Sequence, residues 1–234
     1  IELGFAFLPG DGRGVDLAFV DCPGHERFIH HMVAGAGSID GALLIISAVD
    51  GPSVQTIEHL DILRLLGLRW GRVVLTKSDL VDQTGLAQAA ALASELVRGT
   101  VFAADPPLAV SAHDGSGLTL LKEWLFTRAA ERLGREAGRF VRLPVDRVFT
   151  VQGHGTVVTG TLLAGELRVG DELEVIPGGR VRIRGLQVAH RSVDQVASGC
   201  RTAVNLVGLE REQIVRGAWL AAPGSLRQTQ ICDV

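Results

Sequence analysis

The apolar run Val15–Val20 ends in Asp21-Cys22-Pro23-Gly24-His25. These five positions hold an acid, a thiol, a turn former, a residue without a side chain and an imidazole. A carboxylate at a strand end can hold a magnesium ion through water, because Mg²⁺ takes one or two carboxylates and keeps several waters. A glycine three residues later lets its backbone N–H approach a terminal phosphate closely, and the adjacent histidine could orient or polarise an attacking water. The same residues also suit an ordinary strand-to-helix turn capped by Asp21. D-x-x-G alone leaves both readings open.

A second cluster, Thr76-Lys77-Ser78-Asp79, follows the apolar run Arg72–Thr76. Guanine presents N1–H and N2–H₂ donors on one edge, and a carboxylate such as Asp79 can accept from both. Adenine lacks that donor pair, so the acid would select the base. Lys77 could lay its methylene stem along the ring, and Thr76 could tie neighbouring loops together. The competing reading of Ser78-Asp79 is a helix N-cap. A third stretch, Ser111-Ala112-His113-Asp114-Gly115, follows the next strand pattern and could offer backbone N–H groups to guanine O6. The order of the three clusters, each after a strand of one sheet, is far more specific than any one of them.

These clusters need a frame of strands. Up to about residue 134 the chain alternates strand-like apolar runs with helical patterns. Residues 1–8 and 15–20 form two strands joined by a glycine-rich turn, and a helix is expected over 26–37. Further strands are expected at 42–48, 72–76 and 108–112, with helices at 56–67, 86–97 and 117–134. Apolar strands separated by helices mean a mostly parallel sheet covered on both faces. From Phe140 the helical period disappears. The short runs 145–151, 155–162, 171–176 and 181–188, punctuated by Gly and Asp, predict an antiparallel barrel. The fold class is therefore α/β followed by an antiparallel β-barrel. The first domain is read as 1–138, the barrel as 139–226 and the start of a further domain as 227–234, with 135–139 as linker.

Composition narrows the setting. With 47% hydrophobic and 21% charged residues the 234-residue chain is globular. Cys22, Cys200 and Cys232 are far apart and form no C-x-x-C pair, which offers neither a zinc site nor a disulfide framework and points to a reducing, cytoplasmic setting. No apolar run reaches the ~18 residues of a membrane span. Up to Gly138 there are 11 Lys and Arg against 17 Asp and Glu, and beyond it 12 against 9. A basic second half hints at an anionic partner, nucleic acid first, although a solvated surface is the commoner cause. Arg180, Arg182 and Arg184 alternate and so share one strand face. That face would contact the phosphate of a nucleic acid or simply water. His30, His31, His59, His154 and His190 have no metal-ligand spacing and read as packing or surface residues.

Together the three clusters and the stretch 153–175 resemble the translational GTPases, of which elongation factor Tu is the best-known type. Residues 21–51 and 55–68 look most like the selenocysteine-specific members. The resemblance covers essentially the whole chain and implies GTP or GDP and Mg²⁺ as cofactors. It makes Asp21 the magnesium-side acid, Gly24 the γ-phosphate sensor and His25 the catalytic residue that positions the hydrolytic water. Thr76, Lys77 and Asp79 would recognise guanine, supported by Ser111 and Ala112. Thr76 stands where elongation factor Tu usually has Asn, which weakens loop bracing but leaves the selectivity of Asp79 intact.

The resemblance also implies that the start of the barrel receives the aminoacyl group of a tRNA, through Asp146, Arg147 and Arg201. A selenol is more acidic than a thiol, whose pKa is about 8.5, so selenocysteine carries a selenolate at neutral pH. A guanidinium is permanently charged and forks around anions, so it could favour that anion over a serine hydroxyl. The implied partners are selenocysteyl-tRNA, the ribosome and, through a carboxy-terminal region beyond this chain, a selenoprotein mRNA hairpin; a monomer is expected. Other readings stay open. One is a GTPase carrying general aminoacyl- or initiator tRNA. Another is the GTPase subunit of a sulfate adenylyltransferase, and a third is a non-catalytic binding remnant.

A GTPase of this type needs a G-x-x-x-x-G-K-[ST] loop to cradle the phosphates, and no such string occurs in the chain. The family's switch threonine and central first strand would precede Ile1, so the chain reads as a fragment or a mis-started frame. It is expected to bind GTP poorly and hydrolyse it negligibly by itself. Fluorescent GDP titrated into this chain, with and without the upstream segment, checks this, and micromolar binding by the bare chain overturns it.

Overall fold

The computed structural model describes residues 4–10, 12, 14–22, 39–68, 70–131, 138, 140–151 and 155–229. Gly24, His25, His30, His31, His154, Cys232, the helix expected over 26–37, most of the 135–139 linker and residues 230–234 lie outside them. The chain divides into two compact units, Ile1–Leu133 and Gly134–Val234.

In the first unit, β1 (Gly4–Leu8) and β2 (Leu17–Asp21) form an antiparallel hairpin that sets Gly4 opposite Asp21. The Gly10 N–H donates to Asp16 Oδ1 at 2.8 Å inside its turn. A three-stranded parallel sheet follows in the order β3 (Ala42–Ser47), β4 (Gly71–Thr76), β5 (Leu108–Ala109). The connecting helices are α1 (Val54–Leu65) after β3, α2 (Gln83–Leu96) after β4 and α3 (Leu118–Ala130) after β5. Leu44, Ile46, Val73 and Leu75 of the sheet pack with Leu60, Leu63, Ala89, Ala93, Val97 and Phe102. Burial of the β4 residues on both faces is why that strand reads as an unbroken apolar run. Gly71 sits against Phe102, where a Cβ would come within 2.4 Å of the ring.

Side-chain caps move the helix starts earlier than periodicity predicts. Ser53 and Thr56 close a reciprocal capping box on α1. Asp82 Oδ1 accepts the Gly85 N–H at 2.8 Å and begins α2 at Gln83 rather than at Leu86. The strand expected over 108–112 pairs only at Leu108 and Ala109, and the chain then turns. α3 is tied to the sheet edge by Trp124, whose indole N–H donates to Asp105 Oδ2 at 3.1 Å.

The second unit is the expected antiparallel barrel. Its strands are β6 (Arg142–Pro144), β7 (Arg147–Val151), β8 (Gly155–Thr161), β9 (Glu166–Arg168), β10 (Glu172–Ile176), β11 (Arg180–Val188), β12 (Arg191–Val193), β13 (Gln195–Ala197), β14 (Arg201–Val207) and β15 (Trp219–Ala221). The main sheet runs β6-β15-β10-β11-β14-β8-β7, with β12 on β11 and a separate β9–β13 pair. Its two ends, β6 and β7, are separated by only Val145 and Asp146, so the sheet closes on itself. The Val145 N–H donates to Ala218 O and the Asp146 N–H to Thr159 O, both at 2.8 Å, so one strand turns from one partner to the other. Gly160 permits this close approach, because a Cβ there would lie 2.1 Å from the Pro144 carbonyl oxygen. Leu143, Val158, Leu173, Val175, Val181, Ile183, Val204 and Leu206 fill the interior. Arg180, Arg182 and Arg184 alternate with that core and are exposed, as the spacing predicts. Among the described residues no helix is long and apolar enough to cross a membrane.

Candidate functional site

The parallel register aligns Ser47 with Thr76 and Leu75 with Ala109. The turns after β3, β4 and β5 therefore emerge at one edge, the carboxyl ends of the strands, where ligands bind in α/β sheets. Three of those turns meet there. The Thr76 hydroxyl donates to Ile46 O at 3.4 Å, and the Ala48 N–H donates to Thr76 O at 2.8 Å. Thr76 thus joins the ends of β3 and β4, while the brace between loops comes from the Ser78 N–H, which donates to Val110 O at 3.3 Å.

Lys77 has φ 57°, in the left-handed region, and precedes a single 3₁₀ turn over Ser78–Leu80. A non-glycine residue held there is strained, a feature that clusters at ligand sites. Its ammonium reaches Asp50 Oδ2 at 3.3 Å rather than lying free. Asp50 is held below the usual carboxylate range, chiefly by the Ser47 hydroxyl and then by Lys77. The helix-cap reading of Ser78-Asp79 is not what forms, since no side chain caps the 3₁₀ turn and Asp82 caps α2. The Asp79 residue is exposed as a whole, yet its side chain is only 18% exposed, with Oδ2 3.9 Å from His113 Nδ1.

The turn after β5 is organised by Ser111, which is fully buried. Its hydroxyl accepts the N–H groups of His113 and Asp114 at 3.1 and 3.3 Å. The Ser111 N–H donates to Ser116 O, the Gly115 N–H to Ser111 O and the Ser116 N–H to Asp114 Oδ1. Among the described residues, every amide from Ser111 to Ser116 finds a partner inside this turn except that of the exposed Ala112. Ser111 is therefore a turn organiser, and Ala112 carries the donor on offer. Asp21 stands exposed at the end of β2. Among the described residues no three His, Cys, Asp or Glu gather as a metal cage. A lone exposed carboxylate fits an ion such as Mg²⁺ that keeps most of its waters.

On the outer face of the barrel the structure brings Asp146 and Arg201 into contact and adds a residue that motif reading missed. Arg201 Nη2 donates to Asp146 Oδ1 at 2.8 Å and to Thr159 Oγ1 at 3.2 Å, and the Thr159 hydroxyl donates to Asp146 Oδ1 at 2.6 Å. The side chains of Arg201 and Asp146 are only 11% and 14% exposed. Burial pushes the Arg201 pKa down against the pull of Asp146, and Arg147 pushes it further down. Arg147 is paired across the strands with Thr159. Arg201, read from sequence as a charge presented to an anion, is thus already engaged by an acid of its own chain. The only signal for Thr159 was strand register, since it stands on β8 between the strands that carry the other two.

The elongation factor Tu GTP-binding domain model matches residues 4–133. The chain belongs to that family. The model of elongation factor Tu domain 2 matches residues 155–221, the barrel. Among this family member's relatives is the selenocysteine-specific elongation factor of Desulfomicrobium baculatum, 45% identical over 100% of this chain and 37% of the relative. The factor of the same description from Escherichia coli (strain K12) is 41% identical over 95% of this chain and 36% of the relative. The chain thus spans a little over a third of these relatives' length. The fold superposes on translation elongation factor SelB from Methanococcus maripaludis, solved with the GTP analogue GppNHp, at a TM-score of 0.87. That match has 30% identity and covers 96% of this chain and 50% of that one. A bacterial selenocysteine-specific elongation factor EF-Sec gives 0.85, with 32% identity and coverage of 95% and 38%.

Removing one member of a buried ion pair leaves the other charge without its partner. Asp146→Ala is therefore expected to lower stability by about 3 kcal/mol, more than Thr159→Val, and urea titration of the two variants measures it.

Proposed function

We propose that this chain comprises the nucleotide domain (1–138), the second domain (139–226) and the start of a third (227–234) of a selenocysteine-specific translation elongation factor. The complete protein hydrolyses GTP and delivers selenocysteyl-tRNA to the ribosome. The observation that carries this reading is the buried Asp146–Thr159–Arg201 cluster with Arg147 beside it, on a barrel next in sequence to a domain that carries Asp79 at its strand-end edge. The names of the relatives support it.

In this reading Asp79 accepts from N1–H and N2–H₂ of guanine, the Ala112 N–H donates to O6, and Lys77 and Thr76 hold the loop that presents Asp79. Asp21 holds Mg²⁺ through water, and the ion would neutralise charge on the phosphate oxygens. Gly24 and His25 carry the phosphate-sensing and water-positioning roles by motif. In the barrel, Asp146 and Thr159 fix Arg201 in one orientation, and Arg201 with Arg147 makes the surroundings cationic for a selenolate. A pre-oriented guanidinium loses little freedom when an anion arrives, which favours discrimination over a serine hydroxyl. Messenger RNA recognition and the cytoplasmic setting belong to the same proposal.

Two measurements on the full-length protein test it. Asp79→Asn should weaken guanine nucleotide binding by about a hundredfold, while xanthine nucleotides gain, because a carboxamide can donate to their 2-oxo group. Arg201→Ala should narrow the preference for selenocysteyl- over seryl-tRNA, and unchanged discrimination would make the selenolate reading wrong. Recovery of an adenylyltransferase partner in place of tRNA in a pull-down would replace it with the sulfate-activation reading.

A further inference from the structure

His113 has no part in the roles assigned above, yet its ring lies beside the acid that reads the base. Asp79 Oδ2 lies 3.9 Å from His113 Nδ1. That separation is too long for a hydrogen bond but close enough for a charge contact, so the contact exists when the imidazole is protonated and vanishes when it is neutral. His113 is 87% exposed while its partner's side chain is largely covered. The ring can therefore leave without uncovering any core, whereas the carboxylate stays where it is.

We propose that His113 is an affinity-tuning residue of the nucleotide site: its imidazolium competes with guanine for the Asp79 carboxylate. This rests on the guanine-nucleotide reading above. The guanine edge offers two donors and needs both oxygens of Asp79, so a cation drawn to Oδ2 opposes binding on one side of the pair.

Among the described residues, few charged groups face His113. Asp79 approaches from the turn after β4. On its own turn, Asp114 is held below the usual carboxylate range, first by the Ser116 N–H, then by the Ser116 hydroxyl, with smaller help from Ser111 and His113 and a small opposing effect of burial. Asp114 thus stays ionised through the range in which imidazole titrates and adds to the pull on the cation. The ammonium of Lys77, two residues before Asp79, is turned to Asp50 at 3.3 Å.

Histidine changes charge between about pH 5 and pH 8. A protonated imidazole competes, so affinity is lower; a neutral one does not, so affinity is full. Since exposed ion pairs are weak, the change is about threefold.

The test uses fluorescent GDP titrated into the full-length protein at about pH 6 and about pH 8, for the native chain, His113→Gln and His113→Lys. The native chain should bind about threefold more weakly at the lower pH. His113→Gln should keep the native high-pH affinity with a flatter profile, and His113→Lys should stay weak at both. The readout is the difference between profiles, because protonation of the nucleotide phosphate affects all three alike. Equal slopes for the native chain and His113→Gln, or tight binding by His113→Lys at high pH, overturn the role of His113 alone. If none of the three binds guanine nucleotide at any pH, the nucleotide-site reading falls and this role falls with it.

Discussion

Asp146 is held twice by the same neighbour. Its backbone N–H donates to the Thr159 carbonyl, and its carboxylate accepts from the Thr159 hydroxyl and from Arg201. The first bond is part of barrel closure, since it marks where the strand of residues 142–151 passes from β15 to β8. The second places an acid on the outer face in contact with a guanidinium. Closure and site are therefore one constraint, and the acid cannot shift without disturbing the seam. A buried ion pair of this kind contributes little net stability against an apolar alternative of similar shape. What it supplies here is a fixed orientation for Arg201, kept at some energetic cost, and such a cost is commonly met at functional positions.

The first unit uses a different device. Strand register holds its edge together. Pairing Ser47 with Thr76 and Leu75 with Ala109 brings three successive turns out level, and backbone bonds then knit them, from Ala48 to Thr76 and from Ser78 to Val110. Side chains refine the result. Ser111 accepts the amides of His113 and Asp114, and Asp79 comes within 3.9 Å of His113 on the same turn. Donor and acceptor thus stand on neighbouring turns at the strand-end edge, as a base that both donates and accepts along one side would require.

The two units differ in how far their chemistry could be read in advance. In the first, the proposed nucleotide site lies in short contiguous strings after strands, so the order of those strings alone singled out Thr76, Lys77, Asp79, Ser111 and Ala112 as its candidates. Their division of labour was not. Ser111 looked like a possible ligand donor and is a turn organiser, and Lys77 is committed to Asp50, twenty-seven positions earlier in the chain. In the barrel, Asp146 and Arg201 lie fifty-five positions apart, and Thr159, though inside the stretch 153–175 that carries the resemblance, had no role of its own to mark it.

The amino-acid sequence by itself determined the change from a helical to a strand period near residue 140, the parallel and antiparallel sheet types, and the identities of the groups at the strand ends. These follow from local rules, because side-chain alternation, glycine turns and apolar runs act within a few residues. Only the tertiary structure decided that the main sheet closes between β6 and β7, that Thr159 lies between Asp146 and Arg201, and that His113 faces Asp79. Each of those depends on register between strands or turns distant in the chain, and register is set by the packing of the whole sheet rather than by any one segment.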